Sequence, residues 1–411
     1  MMAEPMRRVL KEREFRLLWL SQSASTIGDR LVFVALALYV TEIGTPSDVG
    51  IVLAAHAIPL VAFVMLGGVW ADRLPRHLVM VATDVVRATM HTLLAVLIFT
   101  GTVEIWHIVV IEAVFGAAEA FFRPAYTGLV PQTVPEELVQ DANAASALVN
   151  TIAEFAGPAL ATALVLGIGA GWAFALDAAT FVVSAVFLIG VKPRRRGEAA
   201  PHGTMLFELS AGWREFRARP WVWATVAIFC FMLIFAFAPY VVLGPTVAED
   251  VYGSRGFYGV LAAALGVGTI AGAIIGFRWR PERPLLAAFA LTLPWPAVIA
   301  LFAAGAPRGL VVTCFVLAGA GLSLFDVWWQ TALAQRIPPH ALSRVSSYDW
   351  MGSLALLPLG YLLAGPIGEA IGPAEVLIVG GAVGVAILAL GFAIPDVWRL
   401  RALATASSSP A

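Results

Sequence analysis

The stretch GVWADRLPRH, Gly68 to His77, decides how the chain is read. It is a short charged loop between two long apolar runs, VGIVLAAHAIPLVAFVMLGGVWA at 49–71 and LVMVATDVVRATMHTLLAVLIFT at 78–100. Each run is close to the ~20 residues that a helix needs to cross a bilayer core. Asp72, Arg73, Arg76 and His77 are thereby placed at one membrane face. Gly68 precedes Asp72 by one turn on the same helical face, where the missing side chain lets another helix come close. An acid followed by bases in a tight loop can form a latch of ion pairs and helix-end contacts. The plainer use of such bases is topogenic, since they hold a loop on the cytoplasmic side.

Composition extends this reading to the whole chain. Hydrophobic residues make up 60% of the 411 and charged residues 13%, about half the ~25% of soluble proteins. A soluble chain of this length has no means of hiding so much apolar surface, so a polytopic membrane protein is expected. Cys230 and Cys314 both lie in apolar runs, which predicts buried thiols and no disulfide framework. The first apolar run is followed by many others, so it reads as an anchor and not as a cleaved leader.

Six apolar runs are expected at about 17–41, 49–71, 78–100, 105–123, 144–168 and 171–191. After a break at 192–220, six more follow at about 221–247, 257–277, 284–305, 309–330, 346–368 and 373–395. This divides the chain into an N-terminal segment (1–16), a six-helix bundle (17–191), a central linker (192–220), a second six-helix bundle (221–395) and a tail (396–411). Of the 26 Lys and Arg residues, 23 fall at the termini, in the linker, and at the loops after even-numbered spans. The opposite face has only Arg255 and Arg308, and Arg30 lies inside the first span. The positive-inside rule therefore puts both termini in the cytoplasm. An offset of 204 maps Trp19 onto Trp223, Gly68 onto Gly272, Arg76 onto Arg280, Thr127 onto Thr331 and Pro135 onto Pro339, the pattern of a repeat. In the linker, Leu206, Leu209, Trp213 and Phe216 recur every three or four residues, which predicts a helix lying in the interface.

Ionisable residues inside the spans each ask for a reason, because one at a helix centre costs about 2.5–3.5 kcal/mol on insertion scales. The first half holds several. Asp29 and Arg30 sit midway along the first span but point ~100° apart, so each needs a partner on another helix or a watery cavity. Asp29 is a candidate proton or cation site, or one half of a structural ion pair; Arg30 is its modulator or an anchor. Glu112 and Glu119 share one face of the fourth span. Arg123, four residues on, is the expected partner of Glu119, whereas Glu112 is deeper and without such a neighbour. Burial in a low dielectric favours the neutral form of a carboxylic acid and so allows proton loading near neutral pH, which makes Glu112 a candidate proton carrier. Glu154 in the fifth span is a third. Asp84 and Arg87 are assigned to the latch. Asp177 in the sixth span faces a cavity or caps a local polar contact. Gly157 and Pro158 predict a kink in the fifth span. In the second half, Asp326 and Asp349 are read as gate or helix-end groups, and Phe235 and Tyr240 as part of an aromatic cavity wall. His56 and His91 read as isolated, with no metal site. No phosphate loop accompanies the glycines, which argues against direct use of ATP, and no nucleophile–base set suggests an enzyme.

The loop G-x-x-x-D-R-x-x-R-H resembles the signature between the second and third helices of major facilitator superfamily transporters. Pro75 stands where that signature has Gly, so the turn should be stiffer. The resemblance implies an all-α integral membrane protein of twelve transmembrane helices in two pseudo-symmetric six-helix bundles, with Gly68, Asp72, Arg73, Arg76, Asp84 and Arg87 locking the cytoplasmic side. Gly157-Pro158 is similar to the helix-5 motif of the antiporter branch, though Ala153, Ala156 and Ala161 stand where stronger members carry Gly. FRLLWLSQSASTIGD at 15–29, FFRPAYTGLVPQTVPEELVQDANA at 121–144 and WREFRARPW at 213–221 resemble the macrolide-efflux and enterobactin-exporter branch. What this implies is proton-coupled efflux of a lipophilic, neutral or cationic small molecule by alternating access. A lipid, lysolipid or siderophore transporter with weak or no proton coupling is the alternative. The expected partners are the bilayer, a small-molecule substrate and protons, with no nucleic acid, no cofactor, and a monomer in the bacterial plasma membrane.

Overall fold

The computed structural model describes residues 3–194, 212–279 and 281–400. The first six spans are α1 (Arg13–Ile43), α2 (Pro46–Arg73), α3 (Arg76–Thr100), α4 (Ile105–Thr133), α5 (Val139–Gly167) and α6 (Ala170–Ile189). The second six are α7 (Pro220–Tyr252), α8 (Gly256–Arg278), α9 (Pro284–Ala303), α10 (Arg308–Arg336), α11 (Pro339–Leu354 and Leu357–Ile371) and α12 (Pro373–Ala393). Among the described residues, eleven helices are long and apolar enough to cross a membrane. The remaining span, α5, is a helix of 29 residues. The fold is thus all-α and multi-pass.

The chain forms two compact units. The first holds α1 to α6 and takes in Ala248–Ala263 and Tyr361–Pro366, the far ends of later spans; the second holds the rest of α7 to α12. In the first unit α2 packs along α4, α3 along α6, and α1 along both α5 and α6. In the second, α9 packs against α10 and α12, and α7 against α11. The repeat shows in one detail. A Cβ on Gly67 of α2 would lie 2.3 Å from the carbonyl oxygen of Ala120 on α4. A Cβ on Gly272 of α8 would lie 2.4 Å from that of Ala320 on α10. In both halves a glycine brings one helix backbone directly onto the next, the contact that association in lipid rewards. The expected offset paired Gly272 with Gly68, whose surroundings lie outside the described residues; Gly67 does the equivalent work.

The N-terminal segment is a helix, Ala3–Lys11. Its Val9 is fully buried in a cluster with Phe15, Leu18, Met80 and Leu129. Charged contacts tie this region to the end of α6: Arg194 to Glu12 at 2.6 Å, and the Lys192 amide to Glu14 at 2.5 Å. Of the predicted interfacial helix, 212–217 is helical and Phe216 packs on Tyr348 of α11 at 5.7 Å, while Leu206 and Leu209 lie outside the described residues.

Thr45 opens α2 with a reciprocal cap. Its hydroxyl accepts from the Asp48 amide, and its own amide donates to the Asp48 carboxylate at 2.8 Å. Thr45→Ala is expected to cost about 0.5–2 kcal/mol, read as a lowered unfolding free energy in mixed detergent micelles, with Thr45→Ser near wild type. Equal stability of all three would show that the cap is idle.

Candidate functional site

The first unit contains a line of ionisable groups drawn from four helices and buried over most of its length. It begins at Arg123 on α4, which donates to Glu119 Oε1 through Nη2 at 2.6 Å and Nε at 2.8 Å, the pair expected one turn apart. Glu119 Oε2 meets His56 Nε2 of α2 at 3.1 Å. The other ring nitrogen, His56 Nδ1, meets Glu112 Oε2 at 3.1 Å. Glu112 Oε1 faces His91 Nε2 of α3 at 3.4 Å, and among the described residues neither atom has a hydrogen-bond partner. His91 Nδ1 closes the line on Asp177 Oδ2 of α6 at 2.5 Å. Glu112, His91 and Asp177 are all buried, and the His91 ring stacks on Phe115 with centroids 4.2 Å apart.

Two expectations are corrected here. His56 and His91 are not isolated, and Glu112 does have neighbours: it stands between the two imidazoles. The missing signal was depth. Counted from the ends that share one membrane face, His56 is ten residues after Pro46, and Glu112 and Glu119 are seven and fourteen after Ile105. At ~1.5 Å per residue the histidine falls between the two acids. His91 is nine residues before Thr100 and Asp177 is seven after Ala170, so they lie at matching depth too. The acids and bases pair across helices, where spacing along one helix carries no information.

A second cluster adjoins the first. Arg87 donates to Asp84 Oδ1 at 2.5 Å, and the Ser184 hydroxyl on α6 donates to Asp84 Oδ2 at 2.5 Å. Ser184 is also bonded to Ser21 of α1 at 2.7 Å. Arg87 Nη1 reaches Asp29 Oδ2 at 3.6 Å. The guanidinium lies between the rings of Phe122 and Phe181, 4.2 and 4.3 Å from their centroids. Asp84 and Arg87 were expected in the latch; both are buried in the bundle core instead, because the serines, Asp29 and the two rings give a desolvated ion pair everything it needs. Asp29 is the one acid of the set with substantial access, its side chain 36% exposed.

The charges can be counted. Across the two clusters five carboxylates face two guanidiniums, leaving three negative charges against two histidines. With both imidazoles protonated one negative charge remains. The hydrogen bonds make a related demand. His56 has a carboxylate oxygen at each ring nitrogen, and each contact needs a proton between the heavy atoms. A neutral imidazole supplies one; the second is held either by the ring or by Glu112 or Glu119. The two contacts together therefore call for one proton more than a neutral imidazole between two carboxylates carries.

Of the latch, Arg76 donates to the Gly128 carbonyl of α4 at 2.7 Å, a helix-end contact that joins the loop to the next hairpin. Arg73 is exposed. The surroundings of Gly68 and Asp72 lie outside the described residues, as do the side chains of Glu154 and Pro158. Gly157 packs α5 onto α1: a Cβ there would sit 2.5 Å from the Cβ of Arg30, which is itself exposed. In the second unit Phe235 is exposed on a π turn, Leu233–Phe237, within α7. Tyr240 is not on an open wall; it is buried in an aromatic cluster with Trp295, Phe302 and Phe315.

A profile of the Major Facilitator Superfamily matches residues 18–355. The chain is 22% identical over 397 residues to macrolide efflux protein A of Streptococcus pyogenes, covering 95% of this chain and 97% of that protein. It is 25% identical over 398 residues to the multidrug efflux pump Tap of Mycolicibacterium fortuitum, with 92% and 94% covered. Among solved structures the nucleoside transporter NupG aligns with a TM-score of 0.68 at 14% identity, covering 94% of this chain and 99% of that one.

Proposed function

The chain belongs to the major facilitator superfamily, and from that premise we propose that it exports a lipophilic small molecule in exchange for protons. The observation that carries this is Glu112, held between His56 and His91 with one oxygen bonded and the other facing an unpartnered ring nitrogen. In an apolar bundle a carboxylate between two imidazoles has two stable arrangements that differ by one proton. Adding a proton to the pair closes the contact; removing it opens it. An alternating-access transporter needs such a bistable element, since a proton does work only by favouring one conformation over another. Asp29, half-way between this core and water, is the entry for protons. Relatives that bear macrolide and multidrug efflux names support export and a lipophilic substrate. The distribution of Lys and Arg supports cytoplasmic termini in a plasma membrane, and nothing in the reading needs more than one copy.

The test uses inverted vesicles with an acidic interior and a fluorescent lipophilic cation. Wild-type protein is expected to accumulate the dye until a protonophore is added. Glu112→Gln and His56→Gln are expected to bring uphill accumulation down to that of empty vesicles while downhill flux continues. Accumulation that persists in Glu112→Gln would rule the carrier out.

One observation favours a second reading, transport of lipid. A cavity of about 570 Å³ runs between α3 and α6, lined by Val85, Leu93, Val96, Val182 and Val186, with Asp84 among its walls. Its apolar lining suits an acyl chain. Transfer of a labelled lysolipid that ignores the proton gradient would favour this reading over drug export.

A further inference from the structure

The second unit holds a cavity of about 280 Å³ between α7, α10 and α11. Asp326, Gln330, Asp349, Phe229, Phe325 and Trp329 are on its walls. Phe229 lies against Phe325 with ring centroids 4.3 Å apart, and Phe325 is stacked on Trp329 at 6.0 Å. The Trp329 indole donates to Asp349 Oδ2 at 2.9 Å, which fixes that carboxylate while leaving its charge. Among the described residues neither Asp326 nor Asp349 takes part in an ion pair, whereas the acids of the first unit's core are matched by Arg or His. Among the described residues, two carboxylates thus stand beside aromatic faces with no base paired to them.

We propose that this cavity binds an organic ammonium ion, with Asp326 and Asp349 supplying the counter-charge and Phe229, Phe325 and Trp329 the ring faces. The choice of class follows from the lining. A small inorganic cation prefers a shell of oxygens, and here much of the wall is aromatic carbon. An ammonium carrying methyl or methylene groups is weakly hydrated and is attracted both to ring faces and to carboxylates. A sugar or a phosphate ester would need clustered amides or guanidiniums instead. Size narrows the class further. Drug-sized ligands occupy roughly 300–1,000 Å³, so this cavity holds a compact ammonium with about one ring, or the cationic end of a longer amphiphile. Its role in transport rests on the exporter reading above; its binding chemistry does not.

The experiment measures equilibrium binding of benzyltrimethylammonium to the purified full-length protein in detergent, with no gradient. Neopentylbenzene is the probe of the same shape without charge. The ammonium is expected to bind, and the neutral isostere to bind at least ~10-fold more weakly. Asp326→Asn and Asp349→Asn are each expected to weaken binding ~10-fold or more, and Phe229→Leu about 3- to 10-fold, the range of a cation–ring contact. Asp326→Glu, which keeps the charge, is expected to retain most of the affinity. Size-exclusion profiles verify that each variant is folded. Equal binding of the two probes, no binding of the ammonium, or undiminished binding in the Asp326→Asn/Asp349→Asn double variant would overturn the proposal. Displacement by millimolar sodium or potassium, with Phe229→Leu unaffected, would make it an alkali-cation site and overturn it as well. Because binding is read without protons or flux, a protein that binds the ammonium yet fails to accumulate dye in vesicles removes the exporter reading and leaves this site, and the converse holds.

Discussion

Arg87→Met is expected to destabilise the protein by about 3–5 kcal/mol, because it strips the base from a buried carboxylate. Asp84 is fully buried and holds Arg87 at 2.5 Å, and Arg87 is itself 1% exposed. Asp29 at 3.6 Å has partial access to solvent and can re-solvate; Asp84 cannot. Methionine fills much of the arginine's volume between Phe122 and Phe181, so the loss is one of charge more than of packing. The pair variant Asp84→Leu/Arg87→Met is expected to regain most of the stability, since replacing a whole buried ion pair by apolar groups is often neutral or better. It is not expected to regain transport, if Arg87 also keeps Asp29 in register with the core. Unfolding in mixed detergent micelles reads stability, and vesicle uptake reads transport. A loss in Arg87→Met of only ~1 kcal/mol or less, the range of exposed pairs, would show that water reaches this pair and that the cluster is not the desolvated core described above.

Much of this molecule is legible in its sequence, and the boundary of what is legible has a physical cause. Span number follows from hydropathy because an apolar run of ~20 residues in lipid satisfies its own backbone groups as a helix. The Glu119–Arg123 pair follows from a four-residue spacing on one helix, and the observed contacts agree. The Glu112–His56 and His91–Asp177 contacts join residues 56 and 86 positions apart. Nothing local signals them. The intramembrane histidines looked idle for the same reason that Glu112 looked unpaired: each was read against its own helix. Matching residues by depth from a common membrane face would have brought them together. The aromatic residues of α7 show the opposite failure. Phe235 and Tyr240 share a helix, but at ~100° per residue five positions point them to different sides, and one ends exposed while the other is buried. Asp326 and Asp349 read as helix-end groups because each is near the end of its span. The cavity they share with Phe229 depends on three helices meeting, which no single stretch encodes.

Gly116→Val is expected to abolish proton-driven accumulation although it removes no ionisable group. A Cβ at this position would lie 2.1 Å from the carbonyl oxygen of His56, 2.9 Å from its carbonyl carbon and 3.2 Å from its Cα. These are backbone atoms, so no side chain can swing aside. Ordinary contacts of ~3.5–4 Å would be restored only if α2 moved away from α4 by at least roughly 1.4 Å. Gly116 is four residues from Glu112 and three from Glu119, on the face that meets His56. The movement therefore falls on the two 3.1 Å contacts of the histidine and stretches both beyond hydrogen-bond range. Helix packing and proton binding share one seam, and the glycine serves both. Gly116→Ala carries the same Cβ and is expected to lose most of the accumulation, the branched methyls of valine adding the rest, and Gly167→Ala, where a Cβ would meet nothing within 4 Å, is expected to lose none. Vesicle accumulation alongside downhill flux separates loss of coupling from loss of fold: the expected result is downhill flux retained in Gly116→Ala with uphill accumulation reduced. If Gly116→Val accumulates substrate at the wild-type rate, the contacts of His56 with Glu112 and Glu119 are not what couples protons to transport.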